Sequence, residues 1–285
     1  MGKRYLNLGC GGRFHADWIN MDVASHDPCV IQVDLSRGIP LPDASCAVVY
    51  HAAVLEHFRP PDAFSFLREC RRVLTPGGIL RIGVPDLERL CRLYLEKLAA
   101  AQAGDDDAAR DYDWVILELF DQMVRERNGG EMLAWLRQDP LPNEAFVYAR
   151  IGEEGRELVA GLRRGAAPEP QPVASPFVPR RLVGAVGRRI GRLPAAVKRR
   201  LLALLLGEQG LRALDIGRFR LGGEVHQWVY DPWSLARLVR SAGFSDPVPQ
   251  GASTSLIPDW QRFYLDTRPD GTVIKPDLLF MEAQK

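Results

Sequence analysis

The stretch YLNLGCGGRFHADWINMD, residues 5–22, constrains the fold more than any other part of the chain. A short apolar run breaks into Gly9, Gly11 and Gly12, and a second apolar run ends on Asp22, eleven residues after Gly11. Glycine stands where a backbone must turn sharply or where a Cβ would collide with an approaching ligand. A carboxylate at the end of the second strand of a βαβ unit is placed to meet a ribose diol. Two readings share this pattern: a loop that holds a nucleoside, and a tight turn between strands. The dinucleotide fingerprint needs a third glycine where this chain has Phe14, so an oxidoreductase with a nicotinamide cofactor is poorly matched.

The next 65 or so residues extend the rhythm. β-like runs fall at Tyr5–Leu8, Trp18–Val23, Val30–Val33, Ala47–Tyr50 and Ile79–Val84, several of them ending in Gly, Asp or His. Before the last run, PPDAFSFLRECRRVLTPGG opens with two prolines, carries apolar residues at helical spacing and stops on Pro76-Gly77-Gly78. Strands joined by such crossovers predict a layered α/β sheet, with ligands outside the carboxyl ends of the strands. From Asp86 to about Arg164 the pattern is helical, with stripes at Leu87, Leu90, Tyr94 and Leu98 and at Trp114, Leu117, Phe120, Met123 and Val124. Residues 165–182 carry five prolines and read as a linker, and residues 180–200 carry eight Arg or Lys with no acid. After Gly222-Gly223 the compact rhythm returns: DPWSLARLVRSAGF predicts a helix, a turn-rich segment follows, and DLLFMEAQK predicts a last strand. The expected division is a nucleotide-binding domain of residues 1–88 and 222–285, interrupted by a helical insertion of residues 89–221 with a Pro/Arg-rich part at 165–200.

Bulk properties narrow the class. The 285 residues carry 37 Lys and Arg against 36 Asp and Glu, a formal net charge of +1 that gives no global reason to expect nucleic acid. The five cysteines form no CxxC pair and no His spacing suggests zinc, so reduced thiols, no metal and a cytoplasmic location are expected. The first strand starts too early to leave room for a signal peptide, and the longest apolar run, LLALLL at 201–206, is far below the ~20 residues of a membrane helix.

Three features now stand in order: the glycine loop, Asp22, and Asp34 followed by Leu35 at the end of the third β-like run. A lone strand-end aspartate is commonly a helix cap. Together with DLSRGIPLPDASCAVVYHAAVLEHF, LRECRRVLTPGGILRIGVPD, EVHQWVYD and LLFMEAQK, however, LNLGCGG and INMDV resemble the class I, seven-stranded S-adenosylmethionine-dependent methyltransferases. More narrowly they are similar to the bacterial group related to the type 11 methyltransferase domain, found among surface-polysaccharide and natural-product genes. The resemblance covers about residues 4–90 and 222–285 and implies a Rossmann-like seven-stranded α/β sheet with a helical insertion after strand 5. It also implies S-adenosyl-L-methionine as cofactor. It assigns Gly9, Cys10 and Gly11 to the loop around the methionine portion, Asp22 to the ribose, Asp34 with Leu35 to the adenine, and the backbone at His51 and Ala52 to the sulfonium side. Many relatives carry an acid where this chain has Asn7, so the ammonium of the cofactor meets an amide there.

A sulfonium methyl is already activated, so alignment of a nucleophile contributes most, ~7–11 kcal/mol, while a general base adds a factor of about 10²–10⁴. A hydroxyl acceptor must still lose its proton, and histidine is the usual recipient near neutral pH. His51, at the end of the fourth strand, is the first candidate for the reaction centre, and His226, in GGEVHQWVYD, the second. His57 in VLEHF reads as a cap or a packing residue, His15 as a flank of the glycine loop, His26 as part of a polar turn, and Asp86 as the cap of the following helix. Trp114 and Trp135 read as core of the insertion, with sugar stacking as the alternative. The implied acceptor is a hydroxyl, or less readily an amine, of a sugar or small natural product. A cofactor-binding module without transfer activity is the competing reading. For residues 180–206 a solvated basic face is set beside weak contact with an anionic membrane surface.

Overall fold

The computed structural model of the chain describes residues 4–25, 27–165 and 195–285. Seven strands form one sheet: β1 Tyr5–Leu8, β2 Ile19–Asp22, β3 Val30–Gln32, β4 Cys46–Ala52, β5 Leu74–Pro85, β6 Ser245–Gln250 and β7 Leu278–Gln284. Their order across the sheet is β3-β2-β1-β4-β5-β7-β6. The first five are parallel, and β7 runs antiparallel between β5 and β6. The helices are α1 Pro60–Val73, α2 Leu87–Gln102, α3 Asp106–Val124, α4 Gly130–Leu136, α5 Glu144–Arg163, α6 Ala195–Arg220 and α7 Pro232–Ser241. Thus α2 to α6 lie in the chain between β5 and α7, where the sequence predicts the insertion.

The side-chain period of two decides which face each strand residue serves. Leu6, Leu8, Val49, Leu80, Ile82 and Val84 point to one face and pack under α1 and α7, against Phe66, Leu67, Cys70, Val73, Leu235 and Val239. Each such aliphatic side chain removed from water contributes about 1.5–3 kcal/mol. Helix α1 starts on Pro60-Pro61, whose missing N–H groups would be unsatisfied there in any case. Helix α7 starts in a capping box, with the Asp231 carboxylate accepting from the Ser234 amide and the Ser234 hydroxyl accepting from the Asp231 amide.

Over its first strands the opposite face is covered, among the described residues, by loops and the 3-10 turn Trp260–Phe263. The β1–β2 connection is the loop 9–18, and the β2–β3 connection is shorter still, although parallel strands ordinarily need a longer, helical crossover. An aromatic cluster covers that face instead: Trp18, Tyr50, Trp260 and Phe263, with Ile257 and Leu265 from the segment before β7. Arg81 of β5 is buried beneath this segment. Its guanidinium donates to Asp266, Glu282 and the carbonyls of Gly251 and Thr254, and lies 4.4 Å from the Trp260 ring centroid. Tyr50 donates to the other Asp266 oxygen at 2.6 Å. Neither Arg81 nor Asp266 stands out in the sequence: Arg81 lies between Leu80 and Ile82, where a charged residue in a strand reads as outward-facing.

Several boundaries differ from the sequence reading. Strand β6 falls in the segment read as turn-rich, since SDPVPQ holds two prolines, which a strand tolerates at a sheet edge. In the insertion, Trp114 is fully buried and Trp135 packs beside it, as the core reading expects, whereas Phe120 and Val124 of the same stripe are exposed. Among the described residues no helix is long and apolar enough to cross a membrane. His26, most of the Pro-rich linker and the basic residues 180–194 lie outside the described residues; of the basic stretch only its end is described, as the start of α6.

Candidate cofactor and acceptor site

The carboxyl ends of β1, β2, β3, β4 and β5 lie along one edge of the sheet, and the residues singled out in the sequence fall there. After β1 the chain turns through Gly9 and Gly11, both at positive φ (62° and 51°). The amides of Gly9 and Cys10 both donate to the Met21 carbonyl of β2. The Asp22 carboxylate accepts from the Gly11 amide at 2.8 Å and from the Ala24 amide at 3.0 Å, so the strand-end acid is fixed against the glycine loop. The glycines have different reasons. A Cβ on Gly9 would stand 2.3 Å from Val54 Cγ2, whereas a Cβ on Gly11 or Gly12 would meet no protein atom within 4 Å. Gly9 is therefore required by packing, and Gly11 and Gly12 leave bare main chain facing open space.

Asn7 departs from the expectation of a ligand-facing amide. It is 1% exposed, and its amide donates to the Arg13 carbonyl and to Asn20 Oδ1. Asn20 in turn donates to the carbonyls of His15 and Trp18. The pair clamps the helix-free β1–β2 loop, a task that an aspartate at position 7, having no N–H to donate, cannot perform. Asp34 caps the 3-10 turn Leu35–Arg37, accepting from the Ser36 amide and hydroxyl, and pairs with Arg37 at 3.0 Å. Leu35 packs on the main core. Asp86 caps α2 by accepting from the Arg89 amide. His15 packs edge-on against Phe263.

His51 must be corrected. Its ring is fully buried on the α1 side of β4, edge-on to Phe66 at 5.2 Å, and neither ring nitrogen has a hydrogen-bond partner. Burial pushes the imidazole down to about 3, so it is neutral and closed to an acceptor. Alternation along β4 is the reason: Tyr50 and Ala52 face the aromatic side, which leaves His51 facing the helices. Only its backbone reaches the strand tip. Cys10 is likewise inert as a nucleophile, because burial followed by the Asp22 charge pushes its thiol up to about 12.

Beyond β4, Val54 leads into a 3-10 turn, Leu55–His57. The Glu56 carbonyl accepts from the amides of Gln227 and Trp228 at 2.7 and 3.2 Å, which seats the strap 224–228 against that turn. His226, buried, meets the His57 ring edge-on at 4.8 Å. Burial raises the Glu56 carboxyl to about 8 and lowers His57 to about 4. His226 lies well below its usual value for the same reason, with His57 and Arg125 adding to the effect. Sequence reasoning took His57 as structural; the signal that joins it and Glu56 to His226 is tertiary. Helix α5 is held over the same edge by ion pairs from Glu154 and Glu157 to Arg13 and from Glu154 to Lys275.

A parallel sheet in this order with one inserted antiparallel strand, a glycine loop on the first tip and an acid on the second, defines the class I S-adenosylmethionine-dependent methyltransferase fold. Residues 6–82 match the family model described as a methyltransferase domain. Over 103 residues the chain is 36% identical to a "Probable S-adenosylmethionine-dependent methyltransferase" of Mycolicibacterium smegmatis, covering 30% of this chain and 39% of that protein. Over 57 residues it is 44% identical to a protein so named in Mycobacterium tuberculosis, covering 20% of each. The chain thus spans two fifths or less of the length of these curated relatives. A solved "SAM dependent methyltransferase" from Archaeoglobus fulgidus aligns over 99% of this chain and 86% of its own, with 10% identity and a TM-score of 0.37. Residues 6–82 thus carry a methyltransferase domain, and the cofactor of that domain is S-adenosylmethionine. The residues fit such a ligand: Gly11 and Gly12 open their main chain to it, and Asp22 stands beside them.

Proposed function

We propose that the protein is an S-adenosylmethionine-dependent methyltransferase that acts on a hydroxyl, or an amine, of a sugar or small natural-product scaffold. The observation that carries the reading is the Gly11–Asp22 contact at the tips of β1 and β2, with unfilled space over Gly11 and Gly12. When bound, the cofactor supplies a methyl group already activated toward a nucleophile. Gly9, Cys10 and Gly11 would receive its methionine portion, Asp22 its ribose, and Asp34 with Leu35 its adenine. Asn7 acts indirectly by holding the loop. The chain's remaining task is to align an acceptor and keep water out, the larger part of the rate gain.

For that task the reading divides the chain into a cofactor-binding part, residues 1–88 and 222–285, and an acceptor-facing part, residues 89–221. The anchoring of α5 to Arg13, beside the glycine loop, supports the division. On the acceptor side the reading keeps His226, which stands with Glu56 and His57 just beyond the β4 tip. A cofactor-binding module without transfer activity is the second reading, favoured by the closure of His51. One experiment separates them: pure protein is incubated with the cofactor and extracts of its source cells, and S-adenosylhomocysteine and a 14 Da gain are followed by mass spectrometry. Calorimetric binding without any S-adenosylhomocysteine leaves only the module; no binding removes both.

A further inference from the structure

Three side chains able to ligate a metal meet beside the glycine loop without satisfying one another. Glu56, His57 and His226 each bring a ligand atom into a group whose members all lie within 4.8 Å of one another. Glu56 is 1% exposed, yet neither of its carboxylate oxygens has a hydrogen-bond partner. His57 Nδ1 is also buried and unpartnered. The buried Tyr230 hydroxyl, near enough to Glu56 to feel its charge, has no partner either. Buried polar groups are almost always satisfied, and a carboxylate is among the costliest to leave alone.

We propose that Glu56, His57 and His226 bind one first-row divalent cation of the zinc class, with a position left open. Two imidazoles and one carboxylate are a donor set for zinc and its neighbours, and three protein ligands on a four-coordinate ion leave room for one more. In a tetrahedral site two donors at about 2.1 Å from a shared ion stand about 3.4 Å apart. The ligand atoms, all within 4.8 Å of one another, therefore need to draw together by at most about 1.4 Å, which side-chain rotation supplies. The ligands are held from behind. The Gln227 and Trp228 amides fasten the strap to the Glu56 carbonyl, and the His226 amide donates to the Gln122 carbonyl. Nearby cations are already matched: Arg125 pairs with Asp121 and Glu224, and Lys275 with Glu154.

The ion site stands apart from the transferase reading; only its use, lowering the pKa of an acceptor hydroxyl on the open position, rests on that reading. The test titrates the metal-stripped full chain with Co²⁺. Visible d–d absorption should saturate at one equivalent and be displaced by Zn²⁺. Glu56→Gln and His226→Gln, in preparations that still bind S-adenosylmethionine in calorimetry, should each weaken Co²⁺ binding by about tenfold or more. Asp22→Ala should weaken the cofactor and leave the Co²⁺ spectrum unaltered, so failure of one site is distinguishable from failure of the other. Absence of saturable absorption, a near-ultraviolet thiolate band that marks cysteine ligation, or wild-type Co²⁺ affinity in either ligand variant overturns the proposal.

Discussion

Gly9 and Gly11 sit two residues apart at similar positive φ, yet alanine should fail at them for different reasons. At either position a Cβ in the left-handed region costs about 1–2 kcal/mol. At Gly9 the new methyl would also stand 2.3 Å from Val54 Cγ2, below any real contact, so β1 or the 53–57 turn must shift. Overpacking of that kind adds about 1–3 kcal/mol. Gly9→Ala should therefore lose about 2–5 kcal/mol in urea unfolding, and Val54→Ala in the same chain should recover most of the overpacking part, which a double-mutant cycle isolates. Gly11→Ala meets no protein atom, so its loss should stay near the backbone cost, about 1–2 kcal/mol. Its penalty should appear in ligand binding instead, as a loss of about tenfold or more in calorimetry with S-adenosylmethionine, equivalent to at least ~1.4 kcal/mol. Equal stability of the two variants, or wild-type cofactor affinity in Gly11→Ala, would refute the separation of a packing glycine from a ligand-facing one.

Asp22→Ala should weaken S-adenosylmethionine binding by about tenfold or more, since it removes both the proposed ribose contact and the brace on the Gly11 amide; unchanged calorimetric affinity would remove the assignment. His51→Leu deletes two unpartnered buried nitrogens and should leave methyl transfer intact while holding or raising stability by about 1–2 kcal/mol; a loss of turnover of about 10² or more would return the ring to the reaction centre. Arg81→Met strands Asp266 and Glu282 as buried, uncompensated carboxylates and should cost about 3–5 kcal/mol in urea unfolding; a loss below about 1 kcal/mol would show that the network is not held as described. For the thiols, Cys29 and Cys91 are exposed while Cys10, Cys46 and Cys70 are buried. With the Cys10 thiol up at about 12 it stays protonated from pH 7 to 9, so Ellman titration of the native chain should count two fast thiols throughout that range; a third fast thiol at pH 9 contradicts the closure of Cys10.

The sequence by itself determined six of the seven sheet-forming runs, the helix α1 with its proline start, and the glycine loop followed by Asp22. These are local properties: a period of two or 3.6, a proline that cannot donate, a glycine that accepts positive φ. It also reached Asp86 as a cap and Trp114 as core, because capping and stripe geometry are written within a few residues. What it could not give was the face to which a strand residue turns. That depends on register against both neighbours, and so His51, apt by its place at the end of β4, lies under α1 instead. Asn7 likewise read as a ligand-facing residue until its partners, Asn20 and the Arg13 carbonyl, came into view. Only the tertiary structure brings His226 to Glu56 and His57, because two backbone hydrogen bonds lay the returning strap across the end of β4 after the whole insertion has passed. Proximity between residues so far apart in the chain is a property of packing, and no spacing rule encodes it.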